Sequence, residues 1–170
     1  MDQGPSNLRA LDCGAGIGRI TKHLLVKHFA KVDLVEQNKL FLQKGEEYLK
    51  GLDRVGNLYC CGLQNFVPEN QAYDVIWCQW VLGHLTDDHL IDFFQRCLQG
   101  LKPNGLIVVK ENLTSSGEVE KDEEDSSVTR PEEVLKMIFQ KAGLEILREM
   151  KQQKMPDGLY PVKMYALRKS

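Results

Sequence analysis

Seven short strand-like runs, most of them separated by helix-like stretches, limit the folds that this 170-residue sequence can adopt. A strand that is followed by a helix and then by a second strand pairs with that strand in parallel within one sheet. The strand-like runs cover residues 8–13, 31–36, 55–61, 73–79, 106–111, 144–150 and 161–168. The alternation predicts a doubly wound, mostly parallel α/β sheet with helices on both faces.

The last two strand-like runs differ from the others because no helix-like stretch lies between them. Residues 144–150 and 161–168 are joined by a turn-forming segment that contains "MPDGLY". Such a pair is typical of an antiparallel hairpin. The sequence therefore predicts a seven-stranded, mostly parallel sheet with one antiparallel strand in a C-terminal hairpin.

Two helices can be placed from their capping residues. Thr86 is a candidate N-cap, and Asp87 and Asp88 follow it in the first turn, where the helix dipole favours negative charge. Pro131 suits the first position of another helix, which Gly143 would end. The apolar side chains at helical spacing after Thr86 are Leu90, Phe93, Phe94, Cys97, Leu98 and Leu101.

Composition narrows the function classes. The chain suits one domain, expected to cover residues 1–170, with a core of its own. A net charge of −2 argues against a protein that neutralises nucleic-acid phosphates, and no apolar run is long enough to cross a bilayer. The five cysteines form no CxxC pair and are odd in number. We therefore expect them to be small buried thiols in a reducing compartment. The expected location is the nucleus and the cytoplasm, between which composition does not decide.

A glycine-rich turn, "LDCGAGIGR" (residues 11–19), follows the first predicted strand. Its glycines let the backbone approach a ligand closely, and the start of the next helix offers unpaired N–H groups. Open α/β sheets bind nucleotides and nucleosides at this place. Glu36 stands at the end of the second predicted strand, and a carboxylate there can accept both hydroxyls of a ribose. The turn therefore predicts a site for a ribose-bearing ligand.

Three interpretations of the glycine turn remain open. A dinucleotide fingerprint needs a third glycine at position 19, where this chain has Arg19. A guanidinium at the helix start suits the carboxylate of a bound amino acid, and S-adenosylmethionine carries such a carboxylate together with a ribose. The terminal hairpin also favours the methyl donor over a nicotinamide cofactor. The third interpretation is a tight turn that binds no ligand.

Five motifs spread over about residues 8–168 carry a family resemblance. They are "LDCGAGIGRIT", "CCGLQNF", "YDVIWCQWVLGHLTD", "LKPNGLIVVKEN" and "DSSVTR". The first indicates only a class I methyltransferase, whereas the pair "WVLGHLTD" and "DSSVTR" is more specific. Together they resemble the protein α-N-terminal methyltransferases, which modify proteins that begin Xaa-Pro-Lys. The resemblance implies a Rossmann-like class I methyltransferase fold, S-adenosyl-L-methionine as methyl donor, S-adenosyl-L-homocysteine as product, and no metal.

The resemblance also implies which residues bind the cofactor. Arg19 would hold the methionine carboxylate and Glu36 the ribose, while Leu63 and Gln64 would frame the adenine. Gln79 would present its backbone near the methionine part. The full set of implied cofactor-binding residues is Gly14, Arg19, Glu36, Gln37, Asn38, Leu63, Gln64 and Gln79.

For the substrate, the resemblance implies that His84 and Asp125 are the catalytic residues at the α-amine. Trp80 would stack on the substrate proline, Asn112 would bind the first peptide carbonyl, and Asp122 would lie near the third-position lysine. The implied substrate-binding residues are Trp80, Asn112, Asp122, Ser127 and Tyr160.

Taken without the resemblance, several of these residues have plainer interpretations. His84 could cap or pack the next helix, Trp80 could close the sheet edge, and Asn112 could form a turn. The acidic run at residues 118–125 is typical of a solvated loop, and Tyr160 could pack in the hairpin. Trp77 is predicted to lie in the core, and His23, His28 and His89 are interpreted as surface residues on helices.

Two departures from the family pattern widen the functional alternatives. The family has a helical segment before the first strand, where this sequence has seven residues, and the segment between Gly117 and Asp125 is one residue longer than the pattern. Three functions therefore remain open: an N-terminal methyltransferase, a small-molecule methyltransferase, and a shortened, inactive module that binds N-termini. The expected partners are tails of Xaa-Pro-Lys proteins, including chromatin-associated and ribosomal ones. Direct contact with nucleic acid or membrane is not expected, and self-association is left open.

Overall fold

Each strand-like run of the sequence forms a strand in the computed structural model, which describes residues 3–170. Met1 and Asp2 of the predicted domain lie outside the described residues. The strands are β1 (Arg9–Cys13), β2 (Lys31–Glu36), β3 (Val55–Cys60), β4 (Tyr73–Gln79), β5 (Leu101–Thr114), β6 (Glu120–Lys121), β7 (Val128–Pro131), β8 (Leu144–Lys151) and β9 (Val162–Lys169). The runs of β-branched and large apolar residues in β1, β2 and β4 explain these strands, since both faces of the sheet are covered there.

Seven of the strands form the main sheet in the order β3-β2-β1-β4-β5-β9-β8. The pairs from β3 to β5 are all parallel. β9 is antiparallel to both β5 and β8, so it alone runs against the other six strands. The predicted fold class, a mostly parallel Rossmann-like sheet with one antiparallel strand in a C-terminal hairpin, is confirmed.

Two short strands lie between β5 and α4, and one of them, β6, falls within the acidic run at residues 118–125. β6 pairs with β7 in an antiparallel hairpin, and β7 pairs in parallel with the end of β5 through Leu113↔Arg130 and Thr114↔Pro131. The solvated-loop interpretation of the acidic run is therefore wrong for Glu120 and Lys121, which form β6. The physical reason is that β5 continues beyond the predicted strand and pairs with β7, which in turn pairs with β6.

The helices that were predicted from capping residues begin at or next to the predicted positions. The first begins as a π-helical turn at Thr21–Leu25 and continues as α1 (Val26–His28). The other three are α2 (Lys39–Tyr48), α3 (Asp87–Gly100) and α4 (Glu132–Lys141). Thr86 is the N-cap of α3 as predicted, since its side chain accepts a hydrogen bond from the His89 N–H. Pro131 is the N-cap of α4, so this helix begins at Glu132, one residue after the predicted start. Among residues 3–170, no helix combines the length and the apolar character needed to cross a membrane.

The core lies on both faces of the sheet. On one face, a row of four aromatic rings connects α3, α4 and β9. Its members, in order, are Phe93, Phe94, Phe139 and Tyr165, and the centroids of neighbouring rings are 5.9, 5.7 and 5.3 Å apart. The other face has a smaller cluster of Ala10, Leu25, Val32 and Val75 against the first helix. Each fully buried large side chain contributes about 1.5–3 kcal/mol from removal of apolar area from water. Trp77 packs partly buried against this smaller cluster and donates its indole N–H to Gln79.

Candidate active site

A cavity of about 530 Å³ opens at the carboxyl ends of β1, β2 and β4. This is the edge where open parallel sheets bind ligands, and the volume lies within the range of about 300–1,000 Å³ that is common for small-molecule sites. The walls come from the glycine turn, the start of α2, the loop after β3, and the segment between β4 and α3. The predicted site residues that line it are Gly14, Glu36, Gln37, Asn38, Leu63, Gln64, Trp80 and His84.

Gly14 lies where β1 leaves the sheet, with φ at +65°. A Cβ atom added there would overlap the side chain of Val81 on the facing segment. Only glycine therefore allows both this left-handed backbone conformation and the close approach of the two walls. The absence of a side chain keeps the floor of the cavity open to a ligand.

Glu36 is oriented by the backbone on both sides of it. Its Oε1 accepts the N–H of Gly16 at 3.1 Å, and its Oε2 accepts the N–H of Asn38 at 2.8 Å. Each carboxylate oxygen has a second lone pair, so both oxygens can also accept a hydroxyl proton. The pair of acceptors faces the cavity, as a site for the two hydroxyls of a ribose requires.

Asp12, the residue two positions before Gly14, is an acidic group that the sequence-based prediction missed. Its side chain is buried and accepts a hydrogen bond from the Thr21 hydroxyl at 2.8 Å. Burial raises the pKa of Asp12 to about 7, and the negative charge of Glu36 adds to this rise. The signal that could have revealed it is a lone carboxylate within the otherwise apolar run of β1.

The loop after β3 is held by a residue of α3. Arg96 donates from Nε to the Phe66 carbonyl at 2.9 Å and from Nη2 to the Leu63 carbonyl at 2.8 Å. This guanidinium fixes the loop that carries Leu63 and Gln64 against the cavity. The sequence-based prediction missed Arg96, because its spacing on the helix indicates only a polar face.

Trp80 has a left-handed backbone, with φ at +51°, and its side chain is 51% exposed. Two residues of β5 hold it in this conformation, which is unfavourable for a bulky residue. The Lys110 carbonyl accepts the Trp80 backbone N–H at 3.0 Å, and Asn112 Oδ1 accepts the indole N–H at 3.0 Å. The Lys110 ammonium lies 5.0 Å from the indole centroid. The indole is thus held rigidly at the mouth of the cavity.

His84 is the last residue of a 3₁₀ turn, Leu82–His84, between β4 and α3. It is exposed and lines the cavity. Asp125 lies on the turn before β7, where its Oδ1 accepts the Ser127 N–H at 2.9 Å. Hydrogen bonds from Ser127 hold the pKa of Asp125 below its usual range, and the nearby His84 lowers it further. Asp125 is therefore an anion at neutral pH, close enough to His84 to interact with it.

The remaining substrate candidates do not line the cavity and lie in or beside β5 and the β6–β7 hairpin. Asp122 and Ser127 bracket its turn, since the Asp122 N–H donates to the Ser127 carbonyl at 2.9 Å. Tyr160 donates its hydroxyl to Glu120 Oε1 at 3.0 Å, and this hydrogen bond raises the pKa of Tyr160. The hydrogen bond from the Trp80 indole to Asn112 Oδ1 orients the Asn112 amide, whose NH₂ group is a donor that could bind a carbonyl.

Two predicted cofactor residues lie outside the cavity wall. Arg19 is exposed at the start of the first helix, and Gln79 is half-buried at the end of β4 with its Oε1 bonded to the Trp77 indole. His89, interpreted from the sequence as a surface residue, is exposed but lines the cavity from the first turn of α3. Within residues 3–170, no group of three or more histidine, cysteine or acidic side chains is arranged to hold a metal ion.

The chain is similar to known methyltransferases over nearly its whole length. A family described as AdoMet-dependent proline di-methyltransferase matches residues 2–168. The chain is 51% identical over 163 residues to N-terminal Xaa-Pro-Lys N-methyltransferase 1 of Xenopus tropicalis, covering 95% of this chain and 72% of that protein. It is 54% identical over 160 residues to the protein of the same name from Danio rerio, covering 94% and 71% of the two chains.

Two solved structures of methyltransferases have a similar fold. A SAM-dependent methyltransferase of Leishmania major superimposes with a TM-score of 0.93 and 42% identity, covering 97% of this chain and 66% of that one. A Burkholderia thailandensis N1-methyltransferase solved with S-adenosylhomocysteine superimposes with a TM-score of 0.82, and at 16% identity it supports the fold alone. The family predicted from the five motifs is confirmed. The chain belongs to the family of AdoMet-dependent proline di-methyltransferases.

Proposed function

We propose that this chain transfers methyl groups from S-adenosylmethionine to the α-amino group of proteins that begin Xaa-Pro-Lys. The observation that carries the proposal is the exposed Trp80 indole, fixed by β5 at the mouth of a cavity that also contains Glu36 and His84. The identity to relatives named for this activity supports it.

The residues of the cavity fit the methyl donor. Glu36 offers two oriented oxygens to ribose hydroxyls, and Gly14 leaves space where a side chain would block the ligand. The loop anchored by Arg96 places Leu63 and Gln64 as a wall for the adenine. When bound, S-adenosylmethionine supplies an electrophilic methyl group on a sulfonium.

The acceptor amine must be neutral to act as a nucleophile. A protein α-amine has a pKa of about 7.7–8.0 and a lysine side chain about 10.4, so at about 1.36 kcal/mol per unit the first loses its proton at pH 7 at a cost of about 1 kcal/mol. The second would cost about 4–5 kcal/mol. The pair of His84 and ionised Asp125 can accept this proton, and a base of moderate strength is sufficient for an α-amine. Holding the amine in line with the methyl group would then supply most of the acceleration.

The rim of the site suits a proline-containing, cationic chain end. A flat indole face favours a rigid pyrrolidine ring, whose stiffness lowers the ordering cost of binding. The NH₂ group of Asn112 can donate to the first peptide carbonyl. The acidic β6–β7 hairpin, with Asp122 on its turn, would attract the lysine at position three.

The finer assignments are also proposals. We infer that the substrates include chromatin-associated and ribosomal proteins, that the chain acts in the nucleus and the cytoplasm, and that it does not bind nucleic acid directly. A net charge of −2 supports the last point. Self-association would be seen as a concentration-dependent mass in light scattering, and a monomer at all concentrations would exclude it.

Mass spectrometry of a Ser-Pro-Lys-Arg peptide incubated with the chain and S-adenosylmethionine tests the proposal. The expected result is one or more added methyl groups on the α-amine and none on the same peptide after N-acetylation. Methylation of small amines with equal efficiency would favour a small-molecule enzyme. Calorimetric binding of S-adenosylmethionine without any turnover would favour an inactive module that binds N-termini.

A further inference from the structure

Side chains from other elements bind the backbone of the turn that carries His84 at both of its ends. No side chain within the turn caps it at the N-terminal end. Instead, Glu111 Oε1 accepts the N–H of Val81 at 3.0 Å and the N–H of Leu82 at 2.9 Å. Glu111 is the residue of β5 between Lys110 and Asn112, so the strand that holds Trp80 also holds the start of this turn.

A buried guanidinium holds the other end of the same turn. Arg130 of β7 donates from Nη1 to the Leu82 carbonyl at 3.1 Å and from Nη2 to the Leu85 carbonyl at 2.6 Å. Its Nε donates to Asp87 at 2.9 Å, in the first turn of α3. The Arg130 side chain is only 5% exposed. Because the planar guanidinium of Arg130 binds three separate acceptors, it fixes both the position and the orientation of the turn.

The turn and β7 also meet directly at their backbones. A Cβ atom added at Gly83 would overlap the carbonyl oxygen of Val128, the first residue of β7. Asp125 lies three residues before Val128, and Ser127 donates its N–H to the Asp125 carboxylate. A continuous set of short contacts therefore runs from His84 through Gly83 and Val128 to Asp125.

We infer that Arg130, Glu111 and Gly83 are positioning residues that set the distance between His84 and Asp125. This deepens the proposed function, on which the catalytic roles of His84 and Asp125 rest. Both of those side chains are exposed, and they lie on a short turn and a hairpin that would otherwise move independently. The contacts join these segments into one unit, so the two groups face the substrate amine in a constant arrangement. A displacement of about 1 Å at a reacting group can cost about 100-fold in rate.

Arg130→Lys tests the inference because it keeps the charge and removes the fork. We expect kcat to fall about 10- to 100-fold, with the peptide KM and the affinity for S-adenosylmethionine changed by less than about threefold. Arg148→Lys, an exposed arginine of β8, is the matched control and should leave all three constants unchanged. Loss of cofactor affinity in parallel with kcat would mean that Arg130 acts only on the fold.

Gly83→Ala provides a second variant in case Arg130→Lys fails to fold. Its added methyl group would push the turn away from Val128, and we expect the same selective loss of kcat. Gly4→Ala is the matched control, since a Cβ at Gly4 has no neighbour within 4 Å. Wild-type kcat in Gly83→Ala would contradict the inference.

The interaction between His84 and Asp125 can also be measured without methyl transfer. NMR gives the chemical shifts of the His84 ring in the wild type and in Asp125→Asn, and the loss of the facing carboxylate charge should change them. In the Arg130→Lys background, the same Asp125→Asn substitution should have a clearly smaller effect. An equal effect in both backgrounds would overturn the inference, even if the chain proved to methylate no peptide at all. A chain without activity in which this interaction depends on Arg130 would instead contradict only the proposed function.

Discussion

At the scale of single residues, Asp125 is exposed to solvent and is still held as an anion by Ser127. Asparagine keeps the shape and the hydrogen bond from Ser127 but has no charge with which to stabilise a protonated His84. We expect Asp125→Asn to lower kcat by about 100-fold, since general base catalysis contributes about 10²–10⁴-fold. Binding of S-adenosylmethionine, measured by calorimetry, should not change. Glu123→Gln on the same turn is the control; an equal loss there would indicate a general charge effect.

Asp12 gives a pH-dependent prediction. Its pKa rises from an ordinary 3.8 to about 7 on folding, because burial disfavours the charged form. Between these values the folded state holds a proton that the unfolded state has lost, so the stability falls as the pH rises, by about 1.4 kcal/mol per unit of pKa difference. Asp12→Asn should remove this fall and be more stable than the wild type at pH 8, but not at pH 3.5. Urea unfolding at both pH values tests this prediction. A difference in the free energy of unfolding between the two proteins that is the same at pH 3.5 and pH 8 would contradict it.

At the scale of elements, an ionic cluster connects α4 to the terminal hairpin. Glu132 accepts from Lys163 at 2.6 Å and from the Tyr165 hydroxyl at 3.1 Å, and it pairs with Lys136 at 3.1 Å. Burial alone would raise the pKa of Glu132, but these donors outweigh it and hold the pKa at about 2. The stabilisation is present above the unfolded pKa and is lost as the pH falls through the folded value.

Glu132→Gln should therefore lower the melting temperature at pH 7 and have no effect at about pH 2. We expect a loss of about 1–2 kcal/mol at neutral pH, because solvent weakens a partly exposed cluster. Differential scanning calorimetry at several pH values checks this. Glu133→Gln, next to it on α4, is the control. A destabilisation of Glu132→Gln that is equal at pH 2 and pH 7 would show that packing, and not charge, is responsible.

Some helices and strands could be predicted from the sequence and others could not. α3 was predicted correctly because its cap, first-turn acids and apolar spacing are all local signals. The β6–β7 hairpin was not, because it forms only where the end of β5 offers a pairing edge. The segment "KPNG" after α3 contains the turn-forming residues proline, asparagine and glycine, yet β5 already begins at Leu101. The segment lies within β5, at a shift in its register against β4.

At the scale of the whole molecule, the parallel topology brings motif residues from four strand ends to one cavity. Gly14, Glu36, Leu63 and Trp80 could be predicted to meet because each lies at or just after the end of a different strand of the same sheet. Glu111 and Arg130 could not be predicted, since they contact backbone groups 29 to 48 residues away along the chain. The functional roles of Arg19 and Gln79, which lie outside the cavity wall, stay predictions.

The measurement that tests the account most directly is the preference for proline at the second peptide position, in the wild type and in Trp80→Ala. We compare kcat/KM for Ser-Pro-Lys-Arg and Ser-Ala-Lys-Arg peptides, with Met137→Ala, an exposed apolar residue of α4, as the control. We expect a preference of about tenfold or more in the wild type and in Met137→Ala, since a stacked ring contributes about 0.5–1.5 kcal/mol beyond its buried area. In Trp80→Ala the preference should be nearly absent. A preference for proline that persists in Trp80→Ala would contradict the account.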